Sequence, residues 1–269
     1  MNKFYIQNVF FLLIIFVYLN NKTLATESAP GKDPAFISTR HCPTSEEIHV
    51  KNKHILCTNP EEIKNADELM NEAVKHLEYH AKNEDGYKYC RTNSYYKMLL
   101  YKKKHQGHTD VEKIQYTVDD PNMYNEVINR LWNPDCDKLI DTGSVKRKFV
   151  RAYNPNLVIM QQRYKKSIFG RQKYFYALAT KAEISEDITI IAMTSANIID
   201  HNPSNIEYKN TIVENANFFK TEIDSEEDIR KGKLKKTFVN IAGYLIEKKS
   251  KYVDVTFIAS VRNIQILII

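Results

Sequence analysis

The sequence runs to 269 residues, enough for one large domain or two small ones, with a formal net charge of +6 and only seven glycines. So few glycines leave little for phosphate-cradling loops, and no P-loop, Gly-x-Gly-x-x-Gly or Gly-x-Ser-x-Gly pattern occurs. No Cys-x-x-Cys spacing exists either, so zinc and thioredoxin-like chemistry have no foothold, and neither an enzyme nor a cofactor is expected.

Residues 1–25 read as a secretory signal peptide. Lys3 supplies the positive start, Val9–Leu19 an apolar core too short to span a bilayer comfortably, and Thr23-Leu24-Ala25 a small-residue cleavage site. Removing this segment takes away Lys3 and Lys22 and no acid, which leaves a mature chain of charge +4 starting near Thr26. Export permits disulfides between Cys42, Cys57, Cys90 and Cys136 in three connectivities; Cys42 and Cys57 flank a short loop and are the preferred pair. Export also argues against nucleic acid as the partner of the basic clusters at 102–104, 146–148, 230–236 and 248–251. Solvated turns or phosphate at a membrane surface remain for them.

Residues 26–53, with prolines at 30, 34 and 43, read as a disordered linker. A helix should start at Asn59-Pro60-Glu61-Glu62, where Asn59 caps and Pro60 takes the first helical position. It carries Ile63, Ala66, Leu69, Met70, Ala73, Val74, Leu77 and Ala81 at helical spacing. His76 and His80 lie one turn apart on it, but the acid is misplaced for His-Glu-x-x-His and no third ligand is visible, so a solvated polar face is expected. Ser94–Tyr101 reads as a second apolar helix or turn, 111–118 as a strand, and Asp119-Asp120-Pro121 as the start of a helix ending at Trp132.

Four strand candidates then follow at 145–153, 157–164, 173–184 and 188–196. Along the third, Tyr174, Tyr176, Leu178 and Thr180 share one face, while Phe175, Ala177 and Ala179 share the other. Both faces therefore look covered, and the sheet is either packed on helices or curled around something. Asn210–Ile223 reads as extended, Ser225–Arg230 as a short helix, and 236–247 with 252–260 as a hairpin. Helices ahead of a run of strands give an α+β class rather than βαβ alternation.

Several segments resemble a known family. Tyr124-Asn-Glu-Val-Ile-Asn-Arg-Leu-Trp-Asn-Pro, Val150-Arg-Ala-Tyr-Asn-Pro-Asn-Leu-Val, Arg171-Gln-Lys-Tyr-Phe-Tyr-Ala-Leu-Ala and Lys235-Lys-Thr-Phe-Val-Asn-Ile-Ala-Gly-Tyr-Leu-Ile are similar to the fam-a multigene family of rodent malaria parasites, over about 54–260. That family looks like exported proteins with a START-type (StAR-related) lipid transfer domain. The resemblance implies a helix-grip fold over residues 54–261, a curved antiparallel sheet with helices before it and a long C-terminal lid helix. It implies a phospholipid ligand, phosphatidylcholine favoured, transient contact with membranes, and export to the parasitophorous vacuole or host cell. The alternative is an exported surface protein that keeps the fold as a scaffold.

By the same resemblance Trp132 takes the place of the Trp of a Trp-Asp pair, with Asn133 replacing the acid, and Arg171 that of an Arg-Asp strand, with Gln172 replacing the acid. The candidate lipid contacts are thus Trp132, Arg163, Arg171, Tyr174, Tyr176 and Leu178, and Val253, Val255 and Phe257 belong to the sheet's inner face. After residue 261 the family continues into the lid helix, whereas this chain reads Arg262-Asn-Ile-Gln-Ile-Leu-Ile-Ile269, an atypical apolar tail.

Overall fold

A computed structural model describes residues 42–93, 97–105, 109–136, 144–165, 170–204 and 206–262. The expected signal peptide, the linker up to residue 41 and residues 263–269 lie outside them. The first described element is α1 (Ser45–Lys51), closed by a capping box in which Thr44 and Glu47 bond each other's backbone N–H. The last part of the expected linker is therefore a packed helix, with Ile48 buried. Helix α2 (Pro60–Lys82) starts as its sequence predicts, the Asn59 side chain accepting from the N–H groups of Glu61 and Glu62.

Strands β1 (Lys88–Asn93), β2 (Met98–His105) and β3 (Thr109–Asp119) come next, then α3 (Tyr124–Trp132). Of the turn or helix expected over 94–101, residues 98–101 are instead the start of β2, and 94–96 lie outside the described residues. Strands β4 (Ser144–Asn154), β5 (Leu157–Tyr164), β6 (Lys173–Ser185) and β7 (Ile188–Thr194) match the four candidates to within two residues. An irregular stretch holds β8 (Asn197–Ile199), a 3-10 turn at Glu214–Asn217, β9 (Lys220–Glu222), α4 (Glu227–Arg230) and β10 (Lys235–Lys236), before the hairpin of β11 (Val239–Lys248) and β12 (Tyr252–Val261).

Nine strands form one curved antiparallel sheet in the order β1-β2-β3-β12-β11-β7-β6-β5-β4, and β10 adds to β6 in parallel. Pairing β12 back onto β3 sets the last described strand beside the early ones. Helix α2 lies across one face, burying Leu69, Met70 and Leu77 against Leu178, Ile190 and Leu245. Each such side chain stabilises the fold by about 1.5–3 kcal/mol relative to exposure. Close approach of helix and sheet depends on Gly243, where an added Cβ would stand 1.9 Å from the Ile191 carbonyl oxygen and 2.6 Å from Leu77 Cδ1.

A disulfide joins Cys42 to Cys136, so the expected Cys42–Cys57 pair does not form and Cys57 and Cys90 are free thiols. It staples the chain before α1 to the turn after α3.

Candidate functional site

The period-2 alternation of the strands divides the sheet into an outer face, covered by α2 and the 196–234 segment, and an inner face, covered in part by α3. Register carries the inner face across the molecule. Leu100, Ile114, Phe257, Tyr244 and Ile191 are successive neighbours on five adjacent strands. Beside this line run Tyr116, Val255, Ile246 and Thr189. Further on, Phe175, Ala177 and Ala179 of β6 share the same cluster with Met160 and Phe149. Val127, Ile128, Leu131 and Trp132 of α3 pack against this surface, and the Tyr124 hydroxyl bonds Thr189 Oγ1 at 2.9 Å.

At one end the face turns polar. Arg147 and Phe149 lie two residues apart on β4, opposite Gln162 and Met160, and Phe149 packs on Trp132 with ring centroids 5.5 Å apart. The Arg147 guanidinium donates to the carbonyls of Leu131 at 3.2 Å and Asn133 at 3.0 Å, the two residues flanking Trp132. Burial lowers the pKa of Arg147. Among the described residues six buried side-chain polar atoms lack a partner, and three belong to residues of this face: Arg147 Nε and Trp132 Nε1 at its β4 end, and the Tyr116 hydroxyl on β3. Most buried polar groups in folded proteins are bonded, so three orphans on one face call for an explanation.

The neighbouring tyrosines Tyr116, Tyr244 and Tyr164 belong to the same hydrophobic cluster. Burial pushes the Tyr116 hydroxyl well above its ordinary range, with Tyr244 acting in the same direction. Tyr244 is raised by burial while the Arg147 charge pulls it back, and Tyr164 is raised by burial against a bond from Gln162. Arg147, Tyr244 and Tyr164 thus put one cation and two hydroxyls near one another on an otherwise apolar and aromatic face.

The residues nominated from sequence divide between the faces. Trp132 is 1% exposed and stands on the inner face. Tyr174, Tyr176 and Leu178 point the other way. The Tyr174 hydroxyl donates to Asp200 at 2.8 Å, that of Tyr176 meets Gln161 and Glu226 at 2.6 and 3.3 Å, and Leu178 packs among the α2 residues. Arg163 is paired with Asp228 and Glu226, and Arg171 reaches the Gly232 carbonyl at 2.8 Å. These four polar side chains fasten the 200–232 segment to the sheet.

Sequence reasoning passed over Arg147, Tyr116 and Gln162. Counting by twos from Val253, Val255 and Phe257, already placed on the inner face, and crossing to the paired strands would have reached Tyr116 and Tyr244. The histidine pair also differs from expectation. His80 is buried, bonds the Tyr87 hydroxyl through Nδ1 at 3.2 Å, and has a pKa lowered to about 4 by desolvation with help from the charges of His105 and Lys103. No group of three or more metal-ligating side chains occurs among the described residues.

A nine-stranded curved sheet with a long helix on one face and a short helix on the other defines a helix-grip α+β fold, the fold of StAR-related lipid transfer domains. The comparisons place this chain there by fold. Human STARD10 superposes with a TM-score of 0.50 at 12% identity, covering 70% of this chain. The match spans only 65% of the STARD10 chain. Human StAR-related lipid transfer protein 5 superposes with a TM-score of 0.52 at 10% identity, covering 74% of this chain and 82% of its own. No protein-family model matches the sequence, and no curated protein is significantly similar to it.

Proposed function

We propose that this protein is a secreted carrier that binds one phospholipid, phosphatidylcholine favoured, against the inner face of its sheet and moves it between membranes. The observation that carries this reading is the continuous apolar and aromatic line across five strands, from Leu100 to Ile191, within a fold shared with StAR-related lipid transfer proteins. Acyl chains held there leave water at a gain of about 0.8 kcal/mol per methylene. In this reading no bond is made or broken. Exposed basic residues such as Lys248 and Lys251 engage membrane headgroups transiently, and nucleic acid is not a partner. Membership of the fam-a family and export to the parasitophorous vacuole or host cell belong to the same proposal.

Transfer of labelled phosphatidylcholine between donor and acceptor vesicles tests it. A rate that scales with protein concentration is expected, and a rate no higher than the protein-free background would refute transfer.

One observation favours the second reading, an interaction protein using the fold as a scaffold. Phe218 is 83% exposed on the rim of a groove of about 630 Å³ between the first turns of α2 and residues 215–220, on the outer face. A large exposed ring beside a groove is a feature of docking surfaces.

A further inference from the structure

Phe218 is the most exposed large apolar side chain among the described residues, at 83%, and the next, Val50, reaches 60%. Its neighbour Phe219 is buried in the cluster that α2 covers, so the chain turns one ring inward and the adjacent one outward. The outward ring does not sit on a loose loop. The Phe218 N–H donates to the Asn215 carbonyl at 3.0 Å, and Asn215 Nδ2 donates to Glu72 Oε2 of α2 at 2.6 Å. Asn217 Nδ2 donates to the carbonyls of Asn210 and Glu214 at 3.0 and 2.8 Å. This wall of the groove is therefore ordered before any partner arrives, which lowers the cost of binding.

The opposite wall, the first turns of α2, is acidic. Glu61, Glu62 and Glu68 line the groove with Asn65 among them, and Lys220 is the one cation of its lining. Glu62 is already matched, its Oε1 accepting from Arg151 at 2.7 Å, Tyr153 at 2.7 Å and Thr221 at 2.9 Å. Glu61 and Glu68 are exposed, and the ion pair of Glu68 with Lys64 is a solvated contact at 3.8 Å. Such exposed pairs hold their partners weakly, so both carboxylates stay available. At about 1.5 Å of rise per residue, Glu61 and Glu68 are separated by about 10 Å along the axis of α2.

We infer that this groove docks an extended, basic segment of a partner protein, whose Lys or Arg side chains meet Glu61 and Glu68 while an apolar side chain covers Phe218. The inference rests on the interaction reading above and adds to it the chemistry of the partner. An extended chain rises about 3.3 Å per residue and places alternate side chains on opposite sides, so basic residues at alternate positions face α2 together and an apolar residue between them faces Phe218. Exposed Asn65 offers an amide to the backbone of such a segment. The acidic wall repels nucleic acid and anionic lipid surfaces, which leaves a cationic polypeptide as the complementary occupant.

Selection of random linear peptides displayed on phage against the purified oxidised protein tests this. The enriched peptides should alternate basic and apolar residues. A fluorescein-labelled synthetic copy of the strongest should bind Phe218→Ser about tenfold or more weakly than wild type, the effect of removing an aromatic anchor. The double variant Glu61→Gln/Glu68→Gln should weaken it several-fold. Raising the salt from about 0.1 M to about 1 M shortens the screening length from about 10 Å to about 3 Å, which should weaken binding to wild type several-fold and leave binding to the double variant nearly unchanged. All three positions are exposed, so both variants should keep the wild-type unfolding temperature.

Enriched peptides that lack basic residues but are lost in Phe218→Ser would overturn the charge assignment and leave the interaction reading standing. Basic peptides that bind wild type and both variants equally would overturn the site. No enriched peptide at all would overturn the inference and the interaction reading of this groove together. A dimer of wild type in sedimentation that Phe218→Ser dissolves would replace the partner segment with a second copy of this chain. Competition by anionic phosphatidylserine vesicles for the labelled peptide, lost in Phe218→Ser, would replace it with a membrane.

Discussion

Arg163 and Asp228 form a two-pronged pair, with Nη1 to Oδ2 at 2.6 Å and Nη2 to Oδ1 at 3.0 Å, joining β5 to the short helix α4. The Arg163 side chain is 12% exposed and Asp228 36%. The pair holds the irregular segment on the outer face and takes Arg163 out of reach of a ligand on the inner one. Asp228→Asn should therefore destabilise the protein by about 1–3 kcal/mol, the range for losing charge-assisted bonds at a part-exposed site, and leave lipid affinity unchanged. Urea unfolding alongside lipid titration checks both halves. A lost affinity with intact stability would return Arg163 to the ligand site.

Acid should loosen the same attachment. Burial pushes the Glu226 carboxyl up, but bonds from Lys148 and Gln161, its own backbone N–H and the Lys148 charge outweigh that and hold it at about 2, against an ordinary 4.5. The folded state is then the stronger acid. Its contribution to stability is fully present above about pH 4.5 and is lost as the pH falls toward 2. Unfolding midpoints measured across that window should fall for the wild type and fall less for Glu226→Gln. Identical pH slopes would show that Glu226 is not the group responsible.

Gly243 should tolerate no side chain. Its φ is 147°, and only 1.9 Å would separate an alanine Cβ from the Ile191 carbonyl oxygen, so β7 or α2 must move for alanine to fit. Gly243→Ala should cost at least about 3 kcal/mol, combining overpacking with backbone strain. Thermal unfolding measures it, and a cost below about 1 kcal/mol would mean that α2 does not sit tightly on the sheet.

The Cys42–Cys136 bond closes a sequence separation of 94 residues. Replacing both cysteines by serine should remove about 2–4 kcal/mol of stability. Peptide mapping without reduction should recover the cross-link between these two cysteines, and a Cys42–Cys57 peptide would contradict the fold around α1.

The long strands were legible because β-branched and aromatic runs with clear breaks define them, and β5, Leu157–Tyr164, coincides with its expected run. The edge strand β1 was not, since its first five residues are exposed and carry no apolar alternation. Asn210–Ile223 has strand-like composition, but the Asn210 side chain accepts from the N–H groups of Ile212 and Val213 and turns the chain, so that only Lys220–Glu222 joins a ladder. Helix α1 was readable in the Thr44-x-x-Glu47 capping box and was missed among prolines and charge.

The candidate site was half legible. The two faces of β6 followed from alternation, but which face is inner depends on partner strands far away in sequence. Tyrosine hydroxyls on Tyr174 and Tyr176 suggested a ligand, and only the fold reveals that Asp200 and Glu226 meet them. Arg147 lay inside a Lys-Arg-Lys run that reads as surface, where alternation turns only the middle residue inward.

Lipid extraction of the purified protein followed by mass spectrometry tests the central claim most directly. The account predicts about one phospholipid per chain, retained through purification. Lipid-free wild-type protein that also refuses added phosphatidylcholine would contradict it and leave the scaffold reading in its place.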